Sequence, residues 1–483
     1  MKYSSVKTLA LTTVSLLAAC SVGPNYVRPE MAVPATFKEA PQGWKVAEPG
    51  QVTNTEWWKI FNDETLNGLE AQVSVNNQNI KLAEAQYRQA RALVQEARAD
   101  YFPVVAANAG ATYSGRGPKA NGSSGGTSGA GANSTSRSYQ ANLSASWEVD
   151  VWGRVRREVE SAHASAQASA DDLAAARLSA QAELAQDYLQ LRVVDAQQKV
   201  YTDTVAAYRK ALLVTQNQYQ AGVAGKSDVL QAQVQLDAAT SQSTGLGVQR
   251  AQLEHAIAVL LGKAPADFSL AALPDGSVPA VPEIPGTVPT SLLERRPDIA
   301  SAERRAAAAN AQIGVAEAAY FPDLSLDATA GLASSSIQHL LELPARVWSV
   351  GPSLAETLFD GGLRHAQKKE AQAAYDQTVA TYRQTVLTGL QETEDDLAAL
   401  RILEQQSSYQ NDTVQSSTEL QTVATNQYQA GTVSYLNVVT AQTSLLNSRV
   451  SALNIQQQRL LAAVGLIESL GGGWTSQPTP TTK

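Results

Sequence analysis

The sequence contains two copies of one unit of about 210 residues, and this repetition constrains how the whole chain can fold. The hexapeptide Asn-Gln-Tyr-Gln-Ala-Gly occupies Asn217–Gly222 and recurs 209 residues later at Asn426–Gly431. The tripeptide Tyr-Phe-Pro occupies Tyr101–Pro103 and recurs 219 residues later at Tyr320–Pro322. Self-similarity at a fixed period indicates that one supersecondary unit is built more than once. We therefore expect two tandem structural repeats.

Each copy has the same predicted order of elements: a helix, a β-hairpin, a long helix and a further helix. The first copy covers residues 63–262, with its hairpin at 104–151, and the second covers residues 290–470, with its hairpin at 323–358. Apolar and polar residues alternate along the hairpin strands, as is typical of a sheet whose two faces have different surroundings. The remaining segments are a proline-rich linker at residues 263–289 and a C-terminal tail at residues 471–483.

A helix of unusual length follows each hairpin. Residues 154–220 contain no proline, and a helix of this length extends about 100 Å. Helices of globular domains average about three turns, so such columns predict a rod or the wall of a tube. The leucines with helical spacing that we expect at the seam between columns are Leu173, Leu178, Leu184 and Leu191. A soluble coiled coil is the alternative that the helices alone leave open.

The four predicted strands have the length of membrane-spanning β-strands. Strands of about ten residues cross a bilayer when tilted, but open sheet edges are not tolerated in lipid, and four strands are too few to close a barrel. Two chains would supply eight strands, whose interior fills with side chains, whereas three chains would supply twelve and leave a lumen. We therefore expect an α+β membrane protein that forms a homotrimer, with four strands of the barrel from each chain.

The N-terminus predicts export and lipid attachment. Lys2 and Lys7 precede an apolar stretch that ends in small residues, which indicates a secretory signal peptide over residues 1–19. The segment Leu17-Ala18-Ala19-Cys20 resembles a bacterial lipobox, and Cys20 is the sole cysteine among 483 residues. We expect a covalent lipid on Cys20, followed by an N-terminal arm over residues 20–62. The alternative is an ordinary signal peptide with a cysteine there by chance.

The charge balance excludes one class of partner. Without the leader, the chain has 35 basic and 45 acidic residues, a formal charge of −10, and it contains no basic tract. Nucleic acid is therefore not an expected partner. Charged residues make up 17% of the chain, below the roughly 25% of average globular proteins. A polar, weakly charged surface of large area suits the wall of a water-filled channel.

Several motifs spread over the mature chain carry a resemblance to a known family. The segment Leu292–Ile299 reads Leu-Leu-Glu-Arg-Arg-Pro-Asp-Ile, and Ala319–Pro322 reads Ala-Tyr-Phe-Pro. Supporting segments are Asn25–Pro29, Trp57-Trp58 and Leu470–Trp474. Together they resemble the outer-membrane factor (TolC-like) family, and within it the lipoprotein exit ducts of resistance-nodulation-division efflux pumps.

The resemblance implies a fold, a location and partners. The fold is a trimeric, 12-stranded outer-membrane β-barrel continued by a long periplasmic α-helical barrel, with a closed inner tip. The location is the cell outer membrane, with a lipid anchor and an extension into the periplasm. The implied partners are outer-membrane lipid, a periplasmic adaptor (membrane fusion) protein and an inner-membrane resistance-nodulation-division pump. The implied function is passive conduction of drugs and other small molecules to the outside.

Two other functions remain open from the sequence. One is an outer-membrane duct for type I protein secretion, although such relatives usually lack a lipobox. The other is a lipid-anchored periplasmic scaffold of coiled coils, for which paired hairpins of membrane-spanning length would have no use.

The resemblance places the periplasmic gate at the turns that follow the long helices. These turns are marked by Tyr219 and Gly222 in the first copy and by Tyr428 and Gly431 in the second. Glycine permits the positive φ that a tight helix reversal needs. The two tyrosines are expected either at the gate or in packing between columns.

Acidic residues beyond the turns help to line or tie the constriction in relatives. Asp228 lies six residues past Gly222, whereas Asn437 and then Thr440 follow the second turn, so this chain departs from relatives with carboxylates there. Asp228 is thus the remaining candidate for an acidic ring, which would attract cations. The alternative is that Asp228 merely stabilises the first turn of a helix, which Ser227 is expected to cap.

The family motif Arg295, Arg296, Pro297 and Asp298 is interpreted as structural, fixing the connector against the barrel wall, with contact to a partner as the alternative. Glu392, Glu394, Asp395 and Asp396 cluster on a long helix, where they form either a solvated face or part of the electrostatics of a lumen.

The sequence contains no pattern of catalysis or metal binding. The four histidines are scattered without metal-ligand spacing, and no nucleophile elbow, phosphate loop or dinucleotide motif is present. We expect no enzyme activity, no metal, and no cofactor apart from the covalent lipid on Cys20.

Overall fold

The computed structural model describes residues 22–40, 56–116, 134–273, 275–284 and 295–473. The predicted signal peptide and Cys20 lie outside these residues. The chain divides into two compact units. The sheet unit comprises Met1–Pro29, Gln89–Gln167 and Arg304–Val379, and the helical unit comprises Glu30–Arg88, Ala168–Glu303 and Ala380–Lys483.

Within the described residues, the α-helices follow the order expected for each copy. The helices of the first copy are α1 (Glu64–Asn76), α2 (Gln78–Ala99), α3 (Arg154–Gln220) and α4 (Lys226–Leu260). Those of the second copy are α5 (Pro297–Ala318), α6 (Leu363–Gln429) and α7 (Tyr435–Ser469). Both α3 and α6 have 67 residues, and both α4 and α7 have 35. None of the described helices is both long enough and apolar enough to cross a membrane.

The first helical segment is interrupted, whereas the sequence predicted one helix from Asp63 to about Asp100. The break is at Asn77, which is 3% exposed. Its Oδ1 accepts hydrogen bonds from the backbone N–H groups of Asn79 (2.9 Å) and Ile80 (3.1 Å), and its Nδ2 donates to the carbonyl of Leu260 (3.0 Å). One buried amide therefore caps the start of α2 and the end of α4, which offsets the loss of helical continuity.

A single antiparallel sheet contains all the strands of the described chain, in the order β1 (Val104–Arg116), β2 (Ser134–Glu148), β3 (Asp323–Ser334) and β4 (Arg346–Ala355). The prediction of four strands is confirmed, although β2 and β4 end three residues before the predicted ends of their hairpins. Within the described residues, the outer edges of β1 and β4 pair with no other strand.

The sheet has one apolar face and one polar face. The register aligns Ala107 with Leu143, Leu143 with Ala330, and Ala330 with Trp348, and residues aligned in this way share a face. Side chains alternate along each strand, so the same face also carries Val105, Tyr139, Trp147, Leu326, Val350 and Leu354. The opposite face carries Asn108, Asn142, Ser144, Ser146, Asp327 and Thr329.

Polar groups on that second face bond to one another across the strands. Asn108 Nδ2 donates to Ser144 Oγ (3.1 Å), and Ser146 Oγ donates to Asp327 Oδ1 (2.7 Å). The exposed apolar face and the hydrogen-bonded polar face are what a wall between lipid and water requires.

The core of the helical unit lies where α1, α3, α4 and α7 meet. Trp57 and Trp58, from a short 3-10 helix (Trp57–Phe61), pack there edge to face, with ring centroids 5.9 Å apart. Leu184 and Leu191 of α3 are fully buried in this core, and Leu173 and Leu178 pack against it. The four leucines predicted at the seam thus lie in or against one cluster.

One carboxyl group lies in this unit without a partner. Glu70 of α1 is fully buried, and neither of its carboxylate oxygens has a hydrogen-bond partner within the described residues. Burial raises the pKa of Glu70 to about 9, because the charged form loses its hydration. The Glu70 carboxyl is therefore neutral around pH 7.

Candidate functional site

The turns after the two long helices have the same backbone geometry. Gly222 has φ +76° and Gly431 has φ +75°, a left-handed conformation that costs glycine little. The N–H of Gly222 donates to the carbonyl of Tyr219 (2.9 Å), and the N–H of Val223 donates to that of Gln218 (2.8 Å). Equivalent bonds form around Gly431. This is the Schellman motif, which satisfies the last carbonyls of a helix. Each long helix therefore ends in a hydrogen-bonded turn at which the chain reverses direction.

Asp228 lies in the first turn of α4. Its carboxylate accepts a hydrogen bond from the backbone N–H of Gly225 at 3.3 Å, and Gly225, rather than the predicted Ser227, is the N-cap. An acid at this position is favoured because it meets free N–H groups and the positive end of the helix dipole. The helical role that we considered as the alternative is therefore present.

Tyr428 connects the two turns. Its hydroxyl donates to Gln218 Oε1 at 2.7 Å, and its ring centroid lies 5.4 Å from that of Tyr435. Tyr435 is 5% exposed and packs in a cluster with Tyr208 of α3 and Leu236 of α4. The end of α6 and the start of α7 are thereby held against α3 and α4. We call Gln218, Tyr428 and Tyr435 the tip lock.

Asp228 also acts on the tip lock. Burial raises the pKa of both Tyr428 and Tyr435, and the negative charge of Asp228 adds to this effect. Both phenols therefore remain protonated at physiological pH, so Tyr428 can donate its hydrogen bond to Gln218. The half-buried carboxylate of Asp228 is thus close enough for its charge to act on both rings of the tip lock.

The two copies differ in what they contribute at the tip. Tyr219 is 47% exposed, whereas Tyr428 is half-buried in the tip lock. Asn437 and Thr440 are exposed, and the Thr440 hydroxyl donates to the carbonyl of Leu436 on its own helix (2.9 Å). Of the predicted gate residues, the structure therefore brings together Tyr428 and Asp228, while Tyr219, Asn437 and Thr440 face solvent.

Sequence reasoning missed Gln218 and Tyr435. A comparison of the two copies could have found Tyr435, because it stands 209 residues after Lys226, so an aromatic residue replaces a charged one at the equivalent position. Gln218 lies within the repeated hexapeptide and carries no comparable signal.

Comparison with known proteins decides the family. The family model for the outer membrane efflux protein matches residues 70–263 and 288–472. The chain belongs to the outer membrane efflux protein family. The resemblance inferred from the Arg-Arg-Pro-Asp segment and the repeated motifs is thereby confirmed.

Individual relatives match along nearly their whole length. The toluene efflux pump outer membrane protein TtgC of Pseudomonas putida is 32% identical over 477 residues, which cover 98% of this chain and 96% of TtgC. The cation efflux system protein CusC of Escherichia coli is 29% identical over 471 residues, 98% of this chain and 99% of CusC. The solved outer-membrane channel OprN matches with a TM-score of 0.85 at 31% identity, over 94% of this chain and 100% of OprN.

The most recognisable motif of this efflux protein lies at the start of α5. Arg296 is 8% exposed, and its guanidinium donates to both carboxylate oxygens of Asp298 (3.1 and 2.7 Å). It also donates to Glu392 of α6 (2.7 Å) and to the carbonyl of Ser469 in α7 (3.3 Å). Pro297 occupies the first position of the helix, where its missing N–H costs nothing. Arg296 therefore ties three helices together.

Two glycines leave room for this cluster. A Cβ at Gly389 would lie 3.2 Å from Arg296 Cζ, so the guanidinium rests on the bare backbone of α6. Gly471 has φ +88°, and a Cβ there would lie 2.1 Å from the carbonyl oxygen of Arg295. The close approach places Arg295 against the chain just beyond α7.

The acidic residues predicted on α6 divide into different environments. Glu392 pairs with Arg296, and the Glu394 carboxylate accepts the backbone N–H groups of Lys38 (2.7 Å) and Glu39 (2.9 Å) in the N-terminal arm. Burial, and after it the neighbouring carboxylates, raises the pKa of Asp396 to about 7. This stretch of the efflux protein is therefore more than a solvated helix face. Among the described residues, no group of His, Cys, Asp or Glu could hold a metal ion.

Proposed function

We propose that this outer membrane efflux protein is the exit duct of a tripartite system that conducts drugs and other small molecules passively to the outside. An inner-membrane resistance-nodulation-division pump supplies the energy, and a periplasmic adaptor joins the pump to the duct. The observation that carries this proposal is the sheet with one apolar and one polar face. The names of TtgC and CusC, which specify toluene and cation efflux, support small solutes as cargo.

The duct closes as a homotrimer. The outer edges of β1 and β4 would leave backbone N–H and C=O groups unpaired in lipid, at a cost of several kcal/mol for each group. Pairing β1 of one copy with β4 of the next removes these edges, and three copies give a twelve-stranded barrel with an open lumen. The face with Asn108, Ser144 and Asp327 lines that lumen. The long helices continue the wall into the periplasm, and a covalent lipid on Cys20 anchors each chain to the outer membrane.

Drug susceptibility of a deletion strain tests this function. We expect deletion to lower the minimum inhibitory concentrations of small antibiotics and to raise their accumulation in the cell, and the wild-type gene to restore both. Unchanged drug susceptibility together with a block in export of a secreted protein would contradict the proposal and favour the secretion duct. A Cys20→Ser variant that is monomeric and absent from the membrane fraction would instead favour the scaffold, because a scaffold is attached to the membrane by its lipid alone.

The tip lock is the intramolecular contact that keeps the periplasmic end closed. Loss of one neutral hydrogen bond costs about 1 kcal/mol, which is roughly a fivefold shift between closed and open states. We therefore expect Tyr428→Phe to raise entry of a large antibiotic such as vancomycin, and Asp228→Ala to do the same if the carboxylate belongs to the gate. Susceptibility in cells with the variant as sole duct is the measurement.

Tyr219→Phe is the matched control, because it removes a hydroxyl at the equivalent position of the other copy. Equal leakage from Tyr219→Phe and Tyr428→Phe, or none from either, would show that the tip lock does not hold the gate.

A further inference from the structure

The end of the sheet at the hairpin loops carries two arginines on its apolar face. Arg346 is the first residue of β4, and Arg137 lies near the start of β2. The register aligns Arg137 with Tyr113 and Arg346 with Leu332, so both arginines share the face that carries the apolar side chains. Charged groups on a lipid-facing wall are costly near the middle of a bilayer and tolerated at its interfaces.

Both arginines are followed by an aromatic residue on the same face. Tyr139 is two positions after Arg137, and Trp348, which is 78% exposed, is two positions after Arg346. The Arg137 guanidinium also lies 4.8 Å from the centroid of the Tyr113 ring. Tyrosine and tryptophan favour the membrane interface, where one end of the ring is apolar and the other is wet. Strands β2 and β4 thus each carry an aromatic ring on the apolar face and, two residues nearer the hairpin loop, a guanidinium group.

At the opposite end of the sheet, where the strands join the long helices, the arginines form ion pairs with carboxylates of the same chain. There Arg154 pairs with Glu148 at 2.6 Å, and Arg364 pairs with Asp360 at 2.7 Å. Within the described residues, Arg137 and Arg346 form no ion pair with a carboxylate. The contrast between the two ends is that guanidinium charge is compensated within the chain at one end and left uncompensated at the other.

Few Asp or Glu residues lie near the end of the sheet that carries the hairpin loops. Residues 104–147 contain no Asp or Glu at all, in a chain whose formal charge is −8. In the connection between β3 and β4, the Glu342 carboxylate lies within hydrogen-bond distance of His339 Nδ1, at 2.8 Å. Within the described residues no carboxylate pairs with these arginines, so their charge is free to meet an anionic group from outside the chain.

We propose that Arg137 and Arg346 bind phosphate groups of lipid A, the phosphorylated glycolipid of the outer leaflet. The inference rests on the proposed barrel, in which the helices lie on the periplasmic side and the hairpin loops therefore lie on the outside. The apolar face meets the acyl chains, the aromatic rings lie at the interface, and the guanidinium groups reach the phosphates just beyond. A planar guanidinium matches phosphate oxygens with two parallel hydrogen bonds. The phosphate monoesters of lipid A carry net negative charge, whereas the ammonium group of phosphatidylethanolamine offsets the charge of its phosphate.

The test compares lipid binding by the full-length protein purified in detergent. Delipidated protein is titrated with Kdo2-lipid A, with its dephosphorylated form, and with phosphatidylglycerol, and the apparent dissociation constant is read from the shift in unfolding temperature. We expect Kdo2-lipid A to bind most tightly, and the double variant Arg137→Gln/Arg346→Gln to bind it at least roughly tenfold more weakly, as expected for loss of charge-assisted hydrogen bonds.

The control Arg209→Gln/Lys210→Gln removes the same charge from an exposed part of α3 and should leave the affinity unchanged. The variant Arg137→Lys/Arg346→Lys keeps the charge but loses the planar geometry, so it should bind with intermediate affinity and still assemble. Equal binding of dephosphorylated lipid A, equal binding of phosphatidylglycerol, or full affinity in the double Gln variant would overturn the inference. Oligomeric state, measured on the same samples, tests the proposed duct separately. Trimers that do not bind lipid A would refute the lipid A inference and leave the proposed duct standing.

Discussion

Replacing Glu70 with Gln is expected to stabilise the protein by on the order of 4 kcal/mol at about pH 7.5. The folded state holds the Glu70 carboxyl as a neutral acid because burial raises its pKa to about 9, from an ordinary value of 4.5. At pH 7.5 the unfolded chain releases this proton, so folding must take it up again from solution. Gln is neutral in both states and fills nearly the same volume, so it avoids the free energy of that proton uptake.

The sign of the pH dependence follows from the same shift. Between pH 4.5 and about pH 9, the folded protein binds one proton that the unfolded protein has released, so the stability falls as the pH rises. The slope approaches about 1.4 kcal/mol for each pH unit. In Glu70→Gln this contribution disappears, and the stability should depend less on pH across the whole window.

Chemical unfolding of the detergent-purified protein, followed by tryptophan fluorescence between about pH 5.5 and about pH 8.5, measures the effect. The control is Glu64→Gln, which neutralises an exposed carboxylate on the same helix. A Glu70→Gln variant that is no more stable than wild type at pH 8.5, or that keeps the wild-type pH dependence, would show that Glu70 is ionised or paired in the folded state.

Replacing Arg296 with Met is expected to destabilise the protein by about 2–3 kcal/mol. The guanidinium is buried and makes hydrogen bonds to Asp298, Glu392 and the carbonyl of Ser469. The carboxylates of Asp298 and Glu392 are 38% and 49% exposed, so water partly compensates them when the arginine is lost, and the cost stays below that of a fully buried pair. Arg296→Lys should recover only part of the loss, because one ammonium group cannot reproduce the two-pronged contact with Asp298.

The same unfolding measurement on Arg296→Met and on Arg295→Met separates the two interpretations of the motif. Arg295→Met removes the same charge one residue away and should change the stability far less. If Arg296→Met leaves the stability unchanged but abolishes efflux, then Arg296 acts through a partner and the structural interpretation is wrong.

Much of the fold follows from local patterns in the chain. The 67-residue helix α3 begins and ends where the sequence predicts, because its long proline-free run ends at a glycine that can adopt positive φ, and α6 has the same length. The four strands follow from alternating polarity, and the register then shows that this alternation separates an apolar face from a polar one. The family also follows from sequence, because the motifs that carry the resemblance, such as Arg295–Asp298 and Ala319–Pro322, are short and local.

What the tertiary structure alone decided is which equivalent residues acquire partners. Tyr219 and Tyr428 stand in identical hexapeptides, yet only Tyr428 meets Gln218 and Tyr435, since the two copies pack different neighbours around the same turn. Asn77 interrupts a helix because its amide reaches the carbonyl of Leu260, 183 residues away. Repetition, periodicity and turns are properties of neighbouring residues and can be read along the chain. Burial and hydrogen-bond partners depend on which distant segments meet, and only packing determines that.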